Sequence, residues 1–383
     1  MKQYKALVIG TTEYLILPLP KLLSRAHFSV DCITTSKVIK ASHAFNVFLY
    51  EKNVQSLLKS SAMAIKSNDY DLIVIADDRT IKYILESALP IEDKIKLLPV
   101  LNKKIFLHLY SKIGLAEVFQ RHHILQPDFS IVHDKSELKA FVNHMGYPLV
   151  LKGDQSGAGL QTVFCRNKHE LNAILSTFHF FPAILQRKIE GDLIGIDAFF
   201  QASRLVYFSY AIPLVHMHHL ETTPTILRRY VVKASLDKKL LEELKGIGRA
   251  LGAHGFVNIS CIYSPTHQKR YYFEADMRPT AWVDHPKYFL DDPAQKIRAY
   301  FQHGTYLRAL DKNQSHQSNV IDLPLFLRMK FWEILINRYH VWTYIHFDKI
   351  IYHIYLRRMR HALLALLNMR ALRKWISSIV IKN

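Results

Sequence analysis

Two segments of the 383-residue chain carry side chains suited to handling phosphate. Residues 149–163 read LVLKGDQSGAGLQTV, a strand-like run ending in Lys152 and followed at once by a turn rich in Gly and Ser. Glycine lets backbone N–H groups come close to anionic oxygens, and a lysine at the mouth of such a turn adds a point charge. Lys152 precedes the glycines, so this is not a Walker A loop, in which the lysine follows them. Residues 271–279 read YYFEADMRP. Alternate residues of a strand share a face, which groups Glu274, Asp276 and Arg278. Two carboxylates so placed suit Mg²⁺, which takes a few carboxylates together with substrate phosphate oxygens. The arginine can neutralise charge on a phosphoryl group in transfer. Taken alone, each segment also has a plain structural reading: a β-hairpin for the first, an ion-paired surface strand for the second.

These side chains need elements to position them. Residues 5–10 (KALVIG), 30–34 and 70–76 (YDLIVIA) are short apolar runs bounded by polar turns, with a helix-like stretch at 15–23. That alternation predicts a small, doubly wound parallel α/β sheet over residues 1–98. Gly10 stands alone, so no G-x-G-x-x-G dinucleotide fingerprint follows the first run. Helical periodicity over 103–112 closes at Gly114, read as a C-cap. Residues 129–133 and 147–153 predict strands, and 136–145 an amphipathic helix capped by Ser136. Residues 183–189 and 193–200 alternate like antiparallel strands, 236–251 predict a helix, and 257–263 pair with 270–275 as a hairpin. Together these describe an α+β region over 99–310. Residues 311–383 read as a tail, long, apolar, basic and helical from Pro324 onward.

Charge is unevenly spread. Lys and Arg number 51 against 32 acids, a formal net charge of +19 that favours polyanionic partners. Residues 323–383 alone hold 11 Lys/Arg against 2 acids. Arg357, Arg358, Arg360, Arg370 and Arg373 interrupt apolar stretches there at helical spacing. Such a segment is either a cap packed on the body or a peripheral contact with anionic membrane at its inner face. Nucleic acid ranks third, because no recognised binding module accompanies the charge. Cys32, Cys165 and Cys261 are sparse and unpaired in spacing, which argues against a disulfide framework or zinc site and for a reducing compartment. No signal-peptide pattern and no uncharged run of the ~18–20 residues a bilayer requires is found, so a cytoplasmic location is expected.

In order and spacing, five pieces between residues 102 and 286 resemble the ATP-grasp superfamily. Asn102-Lys103 resembles the Asp-Lys that opens the family's nucleotide-binding region, with Lys103 on ATP phosphate. Pro148 to Lys152 resembles the strand whose lysine contacts phosphate, with Ser156, Gly157, Ala158 and Gly159 as the lid. Residues 185–191 (LQRKIEG) resemble the hinge strand that reads adenine, through Gln186, Arg187 and Ile189, with Asp192 available to the ribose. Residues 255–260 (GFVNIS) resemble the strand bearing the first metal ligand, and Glu274-Ala-Asp276-Met-Arg278-Pro279 the family's Glu-x-Asn-x-Arg.

The resemblance implies a small parallel-sheet domain ahead of a two-lobed ATP-grasp fold. It implies ATP and Mg²⁺, and attack of a substrate carboxylate on the γ-phosphate to give an acyl phosphate that an amine displaces. Lys152, Arg278 and Arg228 then serve catalysis, and Glu274, Asp276 and Ser260 the metal. Three departures stand out. The hinge begins with Gln186 or Arg187 where the family usually has Glu. Ser260 and Asn258, both uncharged, occupy the strand of the first metal carboxylate, and Asp276 replaces the usual Asn. These admit an alternative: a catalytically impaired nucleotide-binding protein with a regulatory or scaffold role. Asp284-His285-Pro286 reads as a turn cap, with substrate contact as the other option. His216, His218 and His219 read as a polar loop rather than a metal site.

Overall fold

The computed structural model describes residues 3–321 apart from 38, 40–44, 157–158, 160, 217–224, 232–236, 290–291 and 305–316. Two compact units are present: Met1–Tyr210 with Val231–His316, and Ala211–Tyr230 with Gln317–Asn383.

In the first unit, four short strands build a parallel sheet. They are β1 (Tyr4–Gly10), β2 (Phe28–Thr34), β3 (Val47–Tyr50) and β4 (Leu72–Ile75), in the order β3-β2-β1-β4. All three pairings are parallel. Helices α1 (Glu13–Ile16) and α2 (Leu19–Arg25) connect β1 to β2. α3 (Val54–Ser67) connects β3 to β4, and α4 (Asp78–Glu86) and α5 (Ile91–Leu97) follow β4. β1 is buried over its last five residues, Ala6 to Gly10, as a strand covered on both faces must be. Strand order reverses between β1 and β4, so their carboxyl ends form the switch point of the sheet, where open α/β sheets leave a crevice.

A second, antiparallel sheet takes β5 (Phe129–Val132), β6 (Leu149–Gly153), β7 (Thr162–Cys165) and β8 (Ala183–Arg187) in the order β5-β8-β6-β7. α6 (Lys112–Arg121) precedes it, and α7 (Lys135–Met145) and α8 (Lys168–Thr177) pack on it around Leu138, Val142, Leu171 and Ile174. A third sheet is formed by β9 (Asp192–Gln201), β10 (Arg204–His216), β12 (Gly255–Ser264) and β13 (Lys269–Asp276), ordered β13-β12-β9-β10. α9 (Lys238–Leu251) and α10 (Pro293–His303) complete this unit. Leu7, Ile9 and Ile75 of the parallel sheet share one core with Ile196, Val257, Ile259 and Leu251, so the first and third sheets are mutually braced.

The second unit contains the distal part of β10, β11 (Thr225–Val231) and β14 (Gln317–Ile321). β10 and β11 pair antiparallel with a bulge near Val215, and Arg229 Nε donates to Asn319 Oδ1 at 3.2 Å. The stretch expected as tail therefore has a strand at Gln317–Ile321. The helical run from Pro324 and its arginines lie outside the described residues, as do His218 and His219.

Three expectations are corrected. The helix placed at 103–112 is a 3-10 turn over Lys103–Ile105, and α6 begins where that helix was expected to end. Gly114 is not a C-cap but sits in the first turn of α6, whose Ser111 cap accepts from its N–H at 2.9 Å. Glycine is required because a Cβ there would stand 1.9 Å from the Leu107 carbonyl oxygen. The cap of α7 is Asp134 rather than Ser136. Its Oδ1 accepts from the N–H groups of Ser136 and Glu137, where a full negative charge meets the positive helix end better than a hydroxyl can.

Gly191 joins β8 to β9 and thus the second sheet to the third. Its φ is +151°, and a Cβ would lie 2.0 Å from the Tyr263 carbonyl oxygen. Gly191→Ala is expected to lower stability by about 2–4 kcal/mol through combined strain and overpacking, read as a drop in the denaturant midpoint. A midpoint within error of wild type would show that this linker has room to relax.

Candidate functional site

β12 and β13 pair antiparallel with Ser260 opposite Glu274 and Asn258 opposite Asp276. The register then slips, Cys261 facing Tyr272, so Phe273 is the extra residue of a β-bulge. Tyr272 is fully buried, and its hydroxyl donates to Glu243 of α9 at 2.8 Å. Beyond the bulge, Glu274 and Asp276 occupy alternate positions, as the sequence spacing implied.

Lys152, at the end of β6, reaches this strand. Its Nζ lies 4.4 Å from the centre of the Phe273 ring. Burial pulls the ammonium down to about 8. Glu274 works against that shift, and Lys112 adds to it by like-charge repulsion. Lys112 is a residue that sequence reasoning missed. It opens α6, and its Nζ donates to the Ser156 carbonyl oxygen, to Ser156 Oγ at 3.0 Å and to the Asp154 carbonyl oxygen at 3.4 Å. Asp154 Oδ1 in turn accepts from Ser111 Oγ and the Ile113 N–H, both at 2.9 Å. The Gly/Ser-rich turn is thereby latched to the start of α6. Gly159 is in the described part of that turn; Gly157 and Ala158 lie outside it. Lys112 escaped notice because the periodicity put it at a helix end. The Ser-Lys pair ahead of an amphipathic run was the available signal for a helix start.

Arg278 does not stand open on the strand face. Its Nη2 donates to Asp276 Oδ2 at 2.7 Å and its Nε to Asp78 Oδ2 at 2.6 Å. Burial opposes its charge, but the two carboxylates outweigh that and hold the guanidinium above its ordinary value. Burial also lifts Asp276 to about 6, with Glu274 pushing the same way and Arg278 and Lys112 opposing. Asp78 is raised to about 6 by burial, then by its acidic neighbours Asp276 and Asp77, against the pull of Arg278. Asp78 comes from the switch point of the parallel sheet, a contribution no motif announced.

The donor set fits a magnesium ion. Glu274 and Asp276 are hard oxygen ligands whose crowding a divalent cation would relieve, and substrate phosphate would complete its shell. Ser260, across the ladder from Glu274, offers a hydroxyl. Asn258 spends its amide N–H groups on Asp197 Oδ1 at 3.2 Å and the Ile196 carbonyl at 3.4 Å. Among the described residues no group of three His, Cys, Asp or Glu side chains is set to hold a metal.

The remaining candidates are dispersed. Gln186 is buried in β8, facing Val150 of β6 and Phe129 of β5. The Arg187 side chain is committed to the Met145 carbonyl at 2.6 Å and Asp128 at 3.6 Å, and its backbone N–H donates to the Asp128 carbonyl at 2.9 Å. Ile189 is half-buried on the β8–β9 link, and Asp192 is exposed as the first residue of β9. Lys103 is exposed on its 3-10 turn. Arg228 lies on β11 in the second unit, opposite Pro213. Asp284 is not a turn cap: it is buried and ion-paired to Arg25 Nη2 at 2.6 Å and to Lys287. Thr280 caps that turn, its Oγ1 accepting from the Trp282 N–H at 3.1 Å.

A model of the RimK-like ATP-grasp domain matches residues 110–201. That span takes in Lys112, Lys152 and the hinge, and leaves out Lys103. Solved structures with the same fold include N5-carboxyaminoimidazole synthetase from Staphylococcus aureus, with a TM-score of 0.62 at 12% identity over 89% of this chain and 87% of that one. The biotin carboxylase domain of Hydrogenobacter thermophilus 2-oxoglutarate carboxylase gives 0.60 at 15% identity, covering 83% and 74%. L-amino acid ligase from Bacillus licheniformis gives 0.55 at 14% identity, covering 82% and 77%. No curated protein matches in sequence. The chain shares the fold of these proteins, and the match to the ATP-grasp domain model is confined to residues 110–201.

Two outcomes are expected. Lys152 is charged in the unfolded chain up to its ordinary value of 10.5 but in the folded protein only to about 8. Below pH 8 its charge therefore destabilises the fold, and that penalty fades as pH rises from about 8 to 10.5. Lys152→Met should stabilise the ligand-free protein at pH 7 by roughly 1–3 kcal/mol, and weaken ATP at least about tenfold. In the wild type, ATP affinity should decline as pH rises through about 8; a flat profile would remove Lys152 from phosphate binding. Secondly, Lys112→Met should weaken ATP by about tenfold while Lys103→Met stays within about twofold. Calorimetric titration giving the reverse order would restore Lys103 to the phosphate site.

Proposed function

We propose that this chain is an ATP-dependent ligase that activates a carboxylate as an acyl phosphate and passes the acyl group to an amine. The observation that carries this reading is the convergence of Lys152 with Glu274, Asp276 and Arg278, drawn from separate sheets, with Lys112 close enough to act on Lys152 and Asp276. Neighbouring folds described as ligases and as ADP or MgADP complexes support it.

In this reading ATP is the substrate whose phosphates lie against Lys112 and Lys152, near Ser156. The Gln186 and Ile189 region of the hinge meets the adenine. Glu274 and Asp276, with Ser260 beside them, would hold magnesium, which supplies charge neutralisation to the phosphates when bound. Arg278 is placed to balance charge on the transferring phosphoryl group. A carboxylate oxygen attacks the γ-phosphorus, the bond to the β-phosphate oxygen breaks, and ADP leaves with that electron pair. The amine nitrogen then attacks the acyl carbon, expelling inorganic phosphate and losing its proton. Small-molecule carboxylate and amine are thus the partners. Among the described residues no helix is long and apolar enough to cross a membrane.

One observation favours a second reading, a nucleotide-binding protein with impaired catalysis: Ser260 and Asn258 leave the metal strand without a carboxylate. Incubation with MgATP and pooled carboxylates and amines separates the two. The ligase reading expects ADP and phosphate in equal amounts, abolished by Lys152→Met. AMP with pyrophosphate would contradict the acyl-phosphate route, and tight ATP binding without turnover on any pool would select the second reading.

A further inference from the structure

We infer that Asp78 is a positioning residue for Arg278, so that the parallel sheet supplies a working part of the phosphoryl site. The inference rests on the reading of this cleft as an ATP site.

A guanidinium held by one carboxylate can swing about that contact, whereas two carboxylates on different edges fix its plane. Arg278 has the second arrangement, with Asp276 at Nη2 and Asp78 at Nε. The remaining Nη1 has a 3.3 Å contact with its neighbour's carbonyl, Pro279 O, among the described residues, and the Tyr14 phenol also acts on the guanidinium. That edge is left to meet a ligand. The two carboxylates are not equivalent. Asp276 stands beside Glu274, and a magnesium ion bound there would compete with Arg278 for it. Asp78 sits on another element and has no such second duty. It can keep the guanidinium aimed while Asp276 serves the cation.

The placement of Asp78 is itself built. Its neighbour Asp77 is 3% exposed and is the N-cap of α4. The Asp77 carboxylate accepts from the N–H groups of Thr11 and Thr12 at 2.7 and 2.9 Å, from Thr11 Oγ1 at 3.1 Å, and from the N–H and Oγ1 of Thr80, both at 2.9 Å. These bonds tie the loop after β1 to the turn after β4, at the carboxyl ends of the two strands flanking the switch point. The first residue beyond this anchor is Asp78. With the backbone pinned on one side, its side chain has a short reach and one cationic partner recorded, Arg278.

The test is nucleotide discrimination. Arg278 acts at the terminal phosphate, so loss of its orientation should weaken MgATP and spare MgADP. Titration calorimetry on the full chain should show Asp78→Ala weakening MgATP about tenfold with MgADP changed less than about twofold. Asp78→Asn retains an oxygen to accept from Nε–H and should recover most of the MgATP affinity. In an Arg278→Ala background, Asp78→Ala should add nothing further. Equal weakening of both nucleotides with a lowered melting temperature would assign Asp78 a merely structural part and overturn the inference. So would unchanged MgATP affinity in Asp78→Ala, or additive losses in the double variant. A wild-type chain that binds neither nucleotide would overturn the ATP reading of the cleft, and this inference with it.

Discussion

Charges brought out of water must be answered by charges of opposite sign, and that constraint organises the centre of this protein. Isolating a lysine, an arginine and several carboxylates in a cleft carries a penalty of several kcal/mol per ion unless each finds a partner. Here the balance is incomplete on the cationic side. Lys152 has an aromatic ring and a neighbouring carboxylate but is depressed by burial, whereas Arg278 is doubly paired. The lysine is thus under-compensated, whereas the arginine is fully compensated.

The architecture serves that centre through two kinds of joint. One is rigid: the core shared between the first and third sheets keeps Asp78 and Arg278 within hydrogen-bond distance, although they are 200 residues apart. The other is narrow: the second sheet, bearing Lys152 and the Gly/Ser-rich turn, continues into the third through a link at which only glycine fits. The β-bulge at Phe273 bridges the two. It adds one residue to β13, so that an aromatic ring and Glu274 both come within range of Lys152.

Much of the fold was legible in the chain. Alternation and short apolar runs marked β1, β2, β4, β6, β8, β9, β12 and β13 within a few residues of their observed bounds, because strand burial writes itself directly into residue order. The region around Lys103 was not legible in the same way. A run of apolar and basic residues satisfied helical periodicity, while its actual conformation was set by the close approach of the Leu107 carbonyl to Gly114 and by the Ser111 cap. Periodicity sees neither. The outcome was a helix start at Lys112 that the periodicity had read as a helix end. Asp284 was misread for a related reason: its partner Arg25 is 259 residues away.

By itself, the sequence determined which side chains were available for chemistry and, by spacing along one strand, that Glu274 and Asp276 would share a face; Arg278 lies in the bend beyond that strand. Those are local properties, dictated by the two-residue repeat of an extended chain. Tertiary structure alone decided that Arg278 is clamped by Asp78, that Lys112 acts on Lys152, and that Asp284 is an ion-pair anchor. Each depends on packing between distant elements, where the free energy of burying a charge is set by neighbours that no reading along the chain brings together.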